Sequence, residues 1–227
     1  MGLTETDVLA LFTSLKLAGI STLVLLFLGT PLAWWLARTA WRGKFLLEAL
    51  IALPLVLPPT VIGFYLLLAL GPAGPIGVLL SVFGIESLAF TFTGLVIGSV
   101  FYSLPFVIQP IQNAFSALDE RALDAAASLG ASPVDRFFSV ALPLARTGIL
   151  SAAVLGFAHT LGEFGIVLMI GGNLAGETQV ASIALYEHVE SLNYAAAHSL
   201  AGVLLVCSFV LLLGVYGLNK RYRIGAL

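Results

Sequence analysis

Asp124-Ala125-Ala126, then Gly130, then Val140-Ala141-Leu142-Pro143 stand in a short polar segment between two apolar stretches. From Leu118 to Leu142 the chain reads as a helix over 119–129, a break at Gly130-Ala131-Ser132-Pro133, and a second helix. Gly130 suits the position just past a helix end, Ser132 an N-cap, Pro133 the first helical turn, and Asp135 the positive end of the second helix dipole. A helix-turn-helix with small residues at its tip, projecting from a membrane, is shaped as a knob onto which a soluble partner can press a groove. An ordinary cytosolic helical hairpin has the same outline.

Composition fixes the setting. Of 227 residues, 59% are hydrophobic and 10% charged, with a mean hydropathy of +1.06; a soluble domain with that much apolar surface would aggregate, so the chain is an integral membrane protein. Charge-free runs at 17–37, 49–85, 87–118 and 191–219 each exceed the roughly 20 apolar residues that cross a bilayer. A fifth span, around 145–171, carries one acid, Glu163. The expectation is an all-α membrane protein of about five spans, near 13–37, 46–70, 88–117, 145–171 and 194–218. They form one domain over 1–227, with the cytoplasmic loop at 118–143. The abundance of Gly and Pro suits close helix packing and kinks better than β-barrel strands.

The connecting segments are uneven. Residues 1–12 read as an amphipathic lead-in and not a cleavable signal, since Glu5 and Asp7 stand where a signal has basic residues. Residues 71–86 read as an outer turn (Gly71-Pro72-Ala73-Gly74-Pro75) followed by a short interfacial or half-inserted helix. Residues 172–193 form the longest polar outer stretch, where a partner arriving from outside would land. The single Cys207 permits no intrachain disulfide and reads as a small packing residue.

Polar residues inside the spans are few. Pro54, Pro58 and Pro59 remove three backbone donors within one span, and Gly63 lies about a turn beyond; a gate wall and static packing both fit. Pro105 and Pro110 suggest a second bend. His159 and Glu163 are four apart and therefore expected on one helical face as a buried pair, with a proton relay as the second reading. Two ligands make no metal site. His188 and His198 have no evident role. With no Lys or Arg in the central part of any span, hydroxyls such as Thr60, Ser99, Ser103 and Thr160 are left to line a path that passes an anion without holding it. The chain has no phosphate-binding glycine loop, and no nucleophile beside a base, so it is expected to be no enzyme and to bind no cofactor.

The loop carries a family likeness. It resembles the "EAA" loop of the membrane permease subunits of ABC importers: an acid, two alanines, a glycine six positions after the acid, and a closing Ile-x-Leu-Pro. Here Asp124 replaces Glu and Val140 replaces Ile, while Ala125, Ala126, Gly130, Leu142 and Pro143 match. Leu53-Pro54-Leu55-Val56-Leu57-Pro58-Pro59-Thr60-Val61-Ile62-Gly63, Leu161-Gly162-Glu163-Phe164-Gly165 and Gly176-Glu177-Thr178 are similar to the molybdate branch, with tungstate and sulfate permeases as close relatives. The resemblance implies a type I importer permease in the bacterial inner membrane, moving molybdate inward by alternating access. It implies Asp124, Ala125, Ala126, Gly130, Val140, Leu142 and Pro143 as the ATPase-coupling surface. Pro58, Pro59, Thr60, Gly63, Ser103, Thr160 and Glu163 are the path or gate candidates. The partners expected are a cytoplasmic ABC ATPase carrying ATP and Mg, a second copy of the chain, an external oxyanion-binding protein and the bilayer, with no nucleic acid. The competing readings are an ion-coupled secondary transporter built on His159 and Glu163, and an intramembrane enzyme lacking most of its catalytic parts.

Basic residues give the orientation. Arg38, Arg42 and Lys44 follow the first span, Arg121, Arg136 and Arg146 lie in or beside the loop, and Lys220, Arg221 and Arg223 follow the last span. Nine of the ten therefore share one side, Lys16 being the exception; the positive-inside rule makes that side cytoplasmic and the N-terminus external. Single cysteines at Ser132 and Asn173, in a Cys207→Ala background, are expected to react with impermeant thiol reagents from opposite faces of sealed vesicles. Labelling of both from the outside overturns the map.

Overall fold

Every regular element among the described residues, 2–224 of the computed structural model, is helical. Helix α1 (Glu5–Arg38) opens with a capping box in which Thr4 accepts from the Asp7 N–H while the Asp7 carboxylate accepts from the Thr4 N–H at 2.9 Å. Its 34 residues extend about 50 Å at the α-helical rise, so the expected lead-in is simply the first turns of the spanning helix. Helices α2 (Lys44–Ala52) and α3 (Pro59–Leu70) follow, separated by a 3₁₀ turn at Leu53–Leu55. Then come the short α4 (Pro75–Ser81), entered at Gly74, and α5 (Phe92–Ser116), capped by Thr91. The knob comprises α6 (Glu120–Ser128), α7 (Pro133–Arg136), a π-helical turn at Phe137–Ala141 and α8 (Leu142–Leu144). Helices α9 (Arg146–Leu161), α10 (Gly165–Gly171), α11 (Ala181–Glu190) and α12 (Tyr194–Ile224) complete the chain.

Among the described residues, four stretches are long and apolar enough to cross a bilayer: Glu5–Arg38, Pro59–Ser81, Phe92–Ser116 and Tyr194–Gly214. A fifth is supplied if Pro133–Leu144 and Arg146–Leu161, bent by 72° at Ala145, count as one. Four expectations change. The second span is two helices with a true break, because Pro58 and Pro59 deny Pro54 and Leu55 their helical donors. Pro105 and Pro110 do not interrupt α5, one face of which is buried against its neighbours. The fourth span is broken at Gly162–Phe164, and the outer stretch 172–193 contains a full helix, α11.

Helices α1, α5 and α9 pack together as the centre of the bundle. Leu25, Ala33, Leu36, Val107, Ile108, Ile111, Phe115 and Ala152 form one buried cluster; Leu17, Ile62, Leu95, Ile166 and Ile170 form another, which joins α3 and α10. Lipid tails offer helices no hydrophobic contrast, so close approach through small residues must hold them. A Cβ on Gly156 would sit 2.5 Å from Val107 Cγ2, and one on Gly148 would sit 2.3 Å from Ala114 Cβ. Arg38 and Glu120, 3.3 Å apart, mark one end of the bundle, and Asp7 with His188 the other. Lys16, the exceptional cation, lies 4.4 Å over the Phe92 ring, which offers it a cation–π contact.

Helix α12 is the most exposed. Leu200 packs with Ala10 and Ala184, whereas Leu205, Val206, Phe209 and Val210 point outward, as lipid-facing residues do. Cys207 is exposed on this helix and packs no core. The side chains of Lys220, Arg221 and Arg223 lie outside the described residues. Because Ala114 Cβ is rigidly tied to its backbone, Gly148→Ala should separate α9 from α5 and destabilise the detergent-solubilised protein by roughly 1–3 kcal/mol. Thermal unfolding of the variant measures this.

Candidate functional site

Glu163 does not sit on the face of a regular helix. It occupies the Gly162–Phe164 break between α9 and α10, is 4% exposed, and accepts hydrogen bonds from the facing helix α5. Ser99 donates to Oε2 at 2.5 Å and Ser103 donates to Oε1 at 2.9 Å. The Ser103 oxygen also lies 2.8 Å from His159 Nδ1 and 3.0 Å from Thr160 Oγ1. A serine has one proton; with that proton given to Glu163, His159 must present Nδ1–H to Ser103, as must the Thr160 hydroxyl. His159 and Glu163 approach only to 3.6 Å, so the expected direct pair is chiefly a serine-bridged one. Each donor to a buried carboxylate contributes about 1.5–3 kcal/mol, which offsets the desolvation that burial in this setting demands.

The centre ties four elements together. Ser182 of α11 donates to the Glu163 backbone carbonyl, and His159 stacks on Phe106 with ring centroids 3.8 Å apart. Ser99, Ser103 and Thr160 are buried. These three hydroxyls are thus committed to one another and to Glu163, and do not line an open channel in this conformation.

The other candidates divide by position. Pro58 and Thr60 are exposed at the α2–α3 break, where Val56 is 83% exposed. Gly63 is buried instead: a Cβ there would lie 2.8 Å from Met169 Cβ and 3.3 Å from the Ile166 backbone, so it is a contact point of α3 on α10. One turn away, Gly165 faces Pro59 and Thr60 at 3.0 and 3.4 Å from its would-be Cβ. The α2–α3 break therefore rests directly on the helix that follows Glu163.

The loop folds as a capped hairpin. Gly130 has φ +86°, and the Gly130 N–H reaches Ala127 O at 2.9 Å while the Ala131 N–H reaches Ala126 O at 3.0 Å, closing the end of α6. Ser132 caps α7 reciprocally with Asp135. The Ser132 hydroxyl and N–H hold the Asp135 carboxyl below its ordinary range, so the cap's contribution is present above that range and is lost as pH falls through the depressed value. Asp124 and Ala125 are exposed and Ala126 half-buried; Leu129 at the tip is 89% exposed. Val140 and Leu142 turn inward against the bundle and Pro143 is exposed. Leu123 and Ala141 anchor the knob in the cluster of Leu36 and Phe115, where Trp34 packs between Phe115 and Phe137 at 5.1 and 5.6 Å.

Several polar contacts had no local signal. Gln112 donates to Glu48 at 2.6 Å beside a cleft of about 220 Å³ that Gln109 and Asn113 also line. His188 pairs with buried Asp7 at 2.7 Å, 181 residues away in sequence. His198 is exposed. Among the described residues no group of three or more His, Cys, Asp or Glu converges on one point.

The architecture is an all-helical bundle with broken spans, a buried carboxylate and a protruding capped hairpin, and known proteins identify what it is for. The chain belongs to the family described as binding-protein-dependent transport system inner membrane component, whose profile matches residues 29–224. It is 54% identical over 225 residues to the molybdenum transport system permease protein ModB of Azotobacter vinelandii, covering 99% of both chains. It is 38% identical over 198 residues to the sulfate transport system permease protein CysT of Synechococcus elongatus, covering 86% of this chain and 71% of that one. The fold is that of type I importer permeases: a bacterial ABC transporter involved in import of the acidic polysaccharide alginate superposes with a TM-score of 0.81 at 17% identity, over 96% of this chain and 80% of that one.

Truncating Ser99 leaves Oε2 of Glu163 without its donor and should destabilise the protein by about 1–3 kcal/mol. In a Ser99→Ala, Glu163→Gln cycle read by thermal unfolding, the double variant should lose less than the two single losses combined. Additive losses contradict the geometry.

Proposed function

We propose that the chain is one of two identical membrane subunits of an ATP-driven importer that moves molybdate inward, in the bacterial inner membrane. The observation that carries the cargo is the 54% identity over 99% of both chains to a molybdenum permease, against 38% over a shorter stretch for the sulfate relative. A cytoplasmic ATPase would supply ATP and Mg, an external binding protein would deliver the oxyanion, and selectivity would reside mainly in that binding protein. The basic end of the bundle, with the knob, faces the cytoplasm.

A second copy is favoured by a physical requirement. Backbone groups freed at a helix break cannot face hydrocarbon; they must be covered by protein or open to a wet cavity. The α2–α3 break is exposed in the single chain at Val56, Pro58 and Thr60, so a second copy placed there closes the surface and encloses a path between the two breaks.

The packing suggests how force travels. The ATPase presses on the tip near Asp124, Ala125, Ala126 and Gly130; the anchored knob turns as a unit with α9, whose start packs on α5 through Gly148. The far end of α9 carries His159 and Thr160, opposite Ser99 and Ser103 of α5. Movement there shifts Glu163 and α10, and α10 bears on Pro59 and Thr60 of the break. The gate is thus worked from the opposite end of one helix.

Ala125 is exposed, so Ala125→Trp should fold normally while spoiling the fit of the knob. In the reconstituted complex, molybdate-stimulated and vanadate-sensitive ATP hydrolysis should fall about 5- to 150-fold, the size expected for an overpacked contact of 1–3 kcal/mol. Normal coupling in this variant contradicts the docking role, and stimulation by sulfate but not molybdate reassigns the cargo.

A further inference from the structure

Between the basic end of α1 and the knob lies a cleft of about 370 Å³, lined by Trp34, Arg38, Glu120, Asp124 and Arg136 among others. Three guanidinium nitrogens, Nε and Nη2 of Arg38 and Nε of Arg136, are buried and meet no hydrogen-bond acceptor in the protein. Arg38 is already committed on one side: Nη1 lies 3.3 Å from Glu120, and the guanidinium sits 4.9 Å over the Trp34 ring. Stacking fixes the plane of that fork and leaves its remaining edge without an acceptor.

A buried donor without an acceptor is destabilising, so this cleft calls for a ligand that offers several acceptor oxygens at once. Two guanidinium groups meet that need best with a tetrahedral oxyanion, whose oxygens can satisfy forked donors from different directions. The two acids at the rim compete weakly: Glu120 has its side chain 80% exposed, and Asp124 is exposed.

The surroundings set the depth. Trp35 and Trp41 pack together at 6.1 Å and are 44% and 54% exposed, with Arg42 and Lys44 alongside in sequence. Exposed tryptophans mixed with cations mark the headgroup level of a bilayer, and basic pockets between helices on the cytoplasmic side bind headgroup phosphates. We infer that Arg38 and Arg136 form a binding site for a tetrahedral phosphate-type oxyanion between α1 and the coupling loop, with the phosphate of an anionic lipid as the ligand that the tryptophan level favours. A lipid held there braces the knob against the end of α1, so the stiffness of the coupling loop depends on the membrane around it.

The test needs binding only, so it stands apart from the cargo and the direction of transport. The full-length protein, delipidated in detergent, is titrated with phosphatidylglycerol, phosphatidylcholine, inorganic phosphate and molybdate, and binding is read by native mass spectrometry and by the shift in thermal unfolding. Phosphatidylglycerol should bind, with phosphatidylcholine and the two inorganic anions much weaker. Arg136→Gln, which removes one charge-assisted contact, should weaken it about tenfold. Arg136→Lys should recover only part of the loss, since a point charge replaces the fork. Glu120→Gln removes the competing carboxylate from Arg38 and should tighten binding several-fold, of the order of one surface ion pair. Because Glu120 is exposed at the start of α6, that variant remains informative if Arg136→Gln does not fold. Tight binding of inorganic phosphate or molybdate, lost in Arg136→Gln, supports the site and makes its ligand a soluble oxyanion. Equal phosphatidylglycerol binding by wild type, Arg136→Gln and Glu120→Gln overturns it.

Discussion

A carboxylate inside a membrane bundle cannot be left without donors, and much of this architecture is arranged around meeting that need for Glu163. Ser99 and Ser103 reach it from α5, His159 and Thr160 join through Ser103, and Ser182 holds its backbone from α11. The residue lies where the fourth span breaks, so the polar centre is also the joint of that span. Removing the charge would simplify the core and also release the connection between α5 and the two half-helices. That is a reason to keep an expensive group in a place where apolar packing would serve stability equally well.

Around this joint the helices are held by contact distance. Gly29, Gly98, Gly148 and Gly156 allow α1, α5, α9 and α10 to approach until side chains of one helix touch the backbone of the next. The tightly packed trio of α1, α5 and α9 contrasts with α12, which leans on the rest through a few residues near its start. Rigid and loosely attached parts are thus segregated: the trio connects the knob to the polar centre, and α12 supplies lipid-facing surface.

The sequence made the spans legible because apolar runs of that length have one physical use. The capped hairpin was legible too, since Gly130, Ser132, Pro133 and Asp135 each have a narrow conformational preference and agree with one another. The break at Pro58–Pro59 could be anticipated from missing donors. The break at Gly162–Phe164 could not, because Gly-Glu-Phe lacks proline and the apolar pattern continues on both sides. Helix α11 was hidden for the opposite reason: its Glu187, His188 and Glu190 look like loop, while Ile183 and Ala184 bury against distant helices. The pairings of Asp7 with His188, Glu48 with Gln112 and Arg38 with Glu120 join residues far apart in the chain, and no local pattern announces them. Most of the fold is written in local periodicity; the polar contacts that give the site its shape are not.

The π-helical turn at Phe137–Ala141 sits between the hairpin tip and the bend into α9. A π turn holds one residue more than an α turn over the same rise, so it acts as a single inserted residue kept inside a helix. At 3.6 residues per turn, one residue corresponds to about 100° of rotation. The angular phase of the tip relative to the bundle is therefore encoded by that one extra residue, and two chains with the same motif but differing by one residue here would aim their knobs along nearly perpendicular directions.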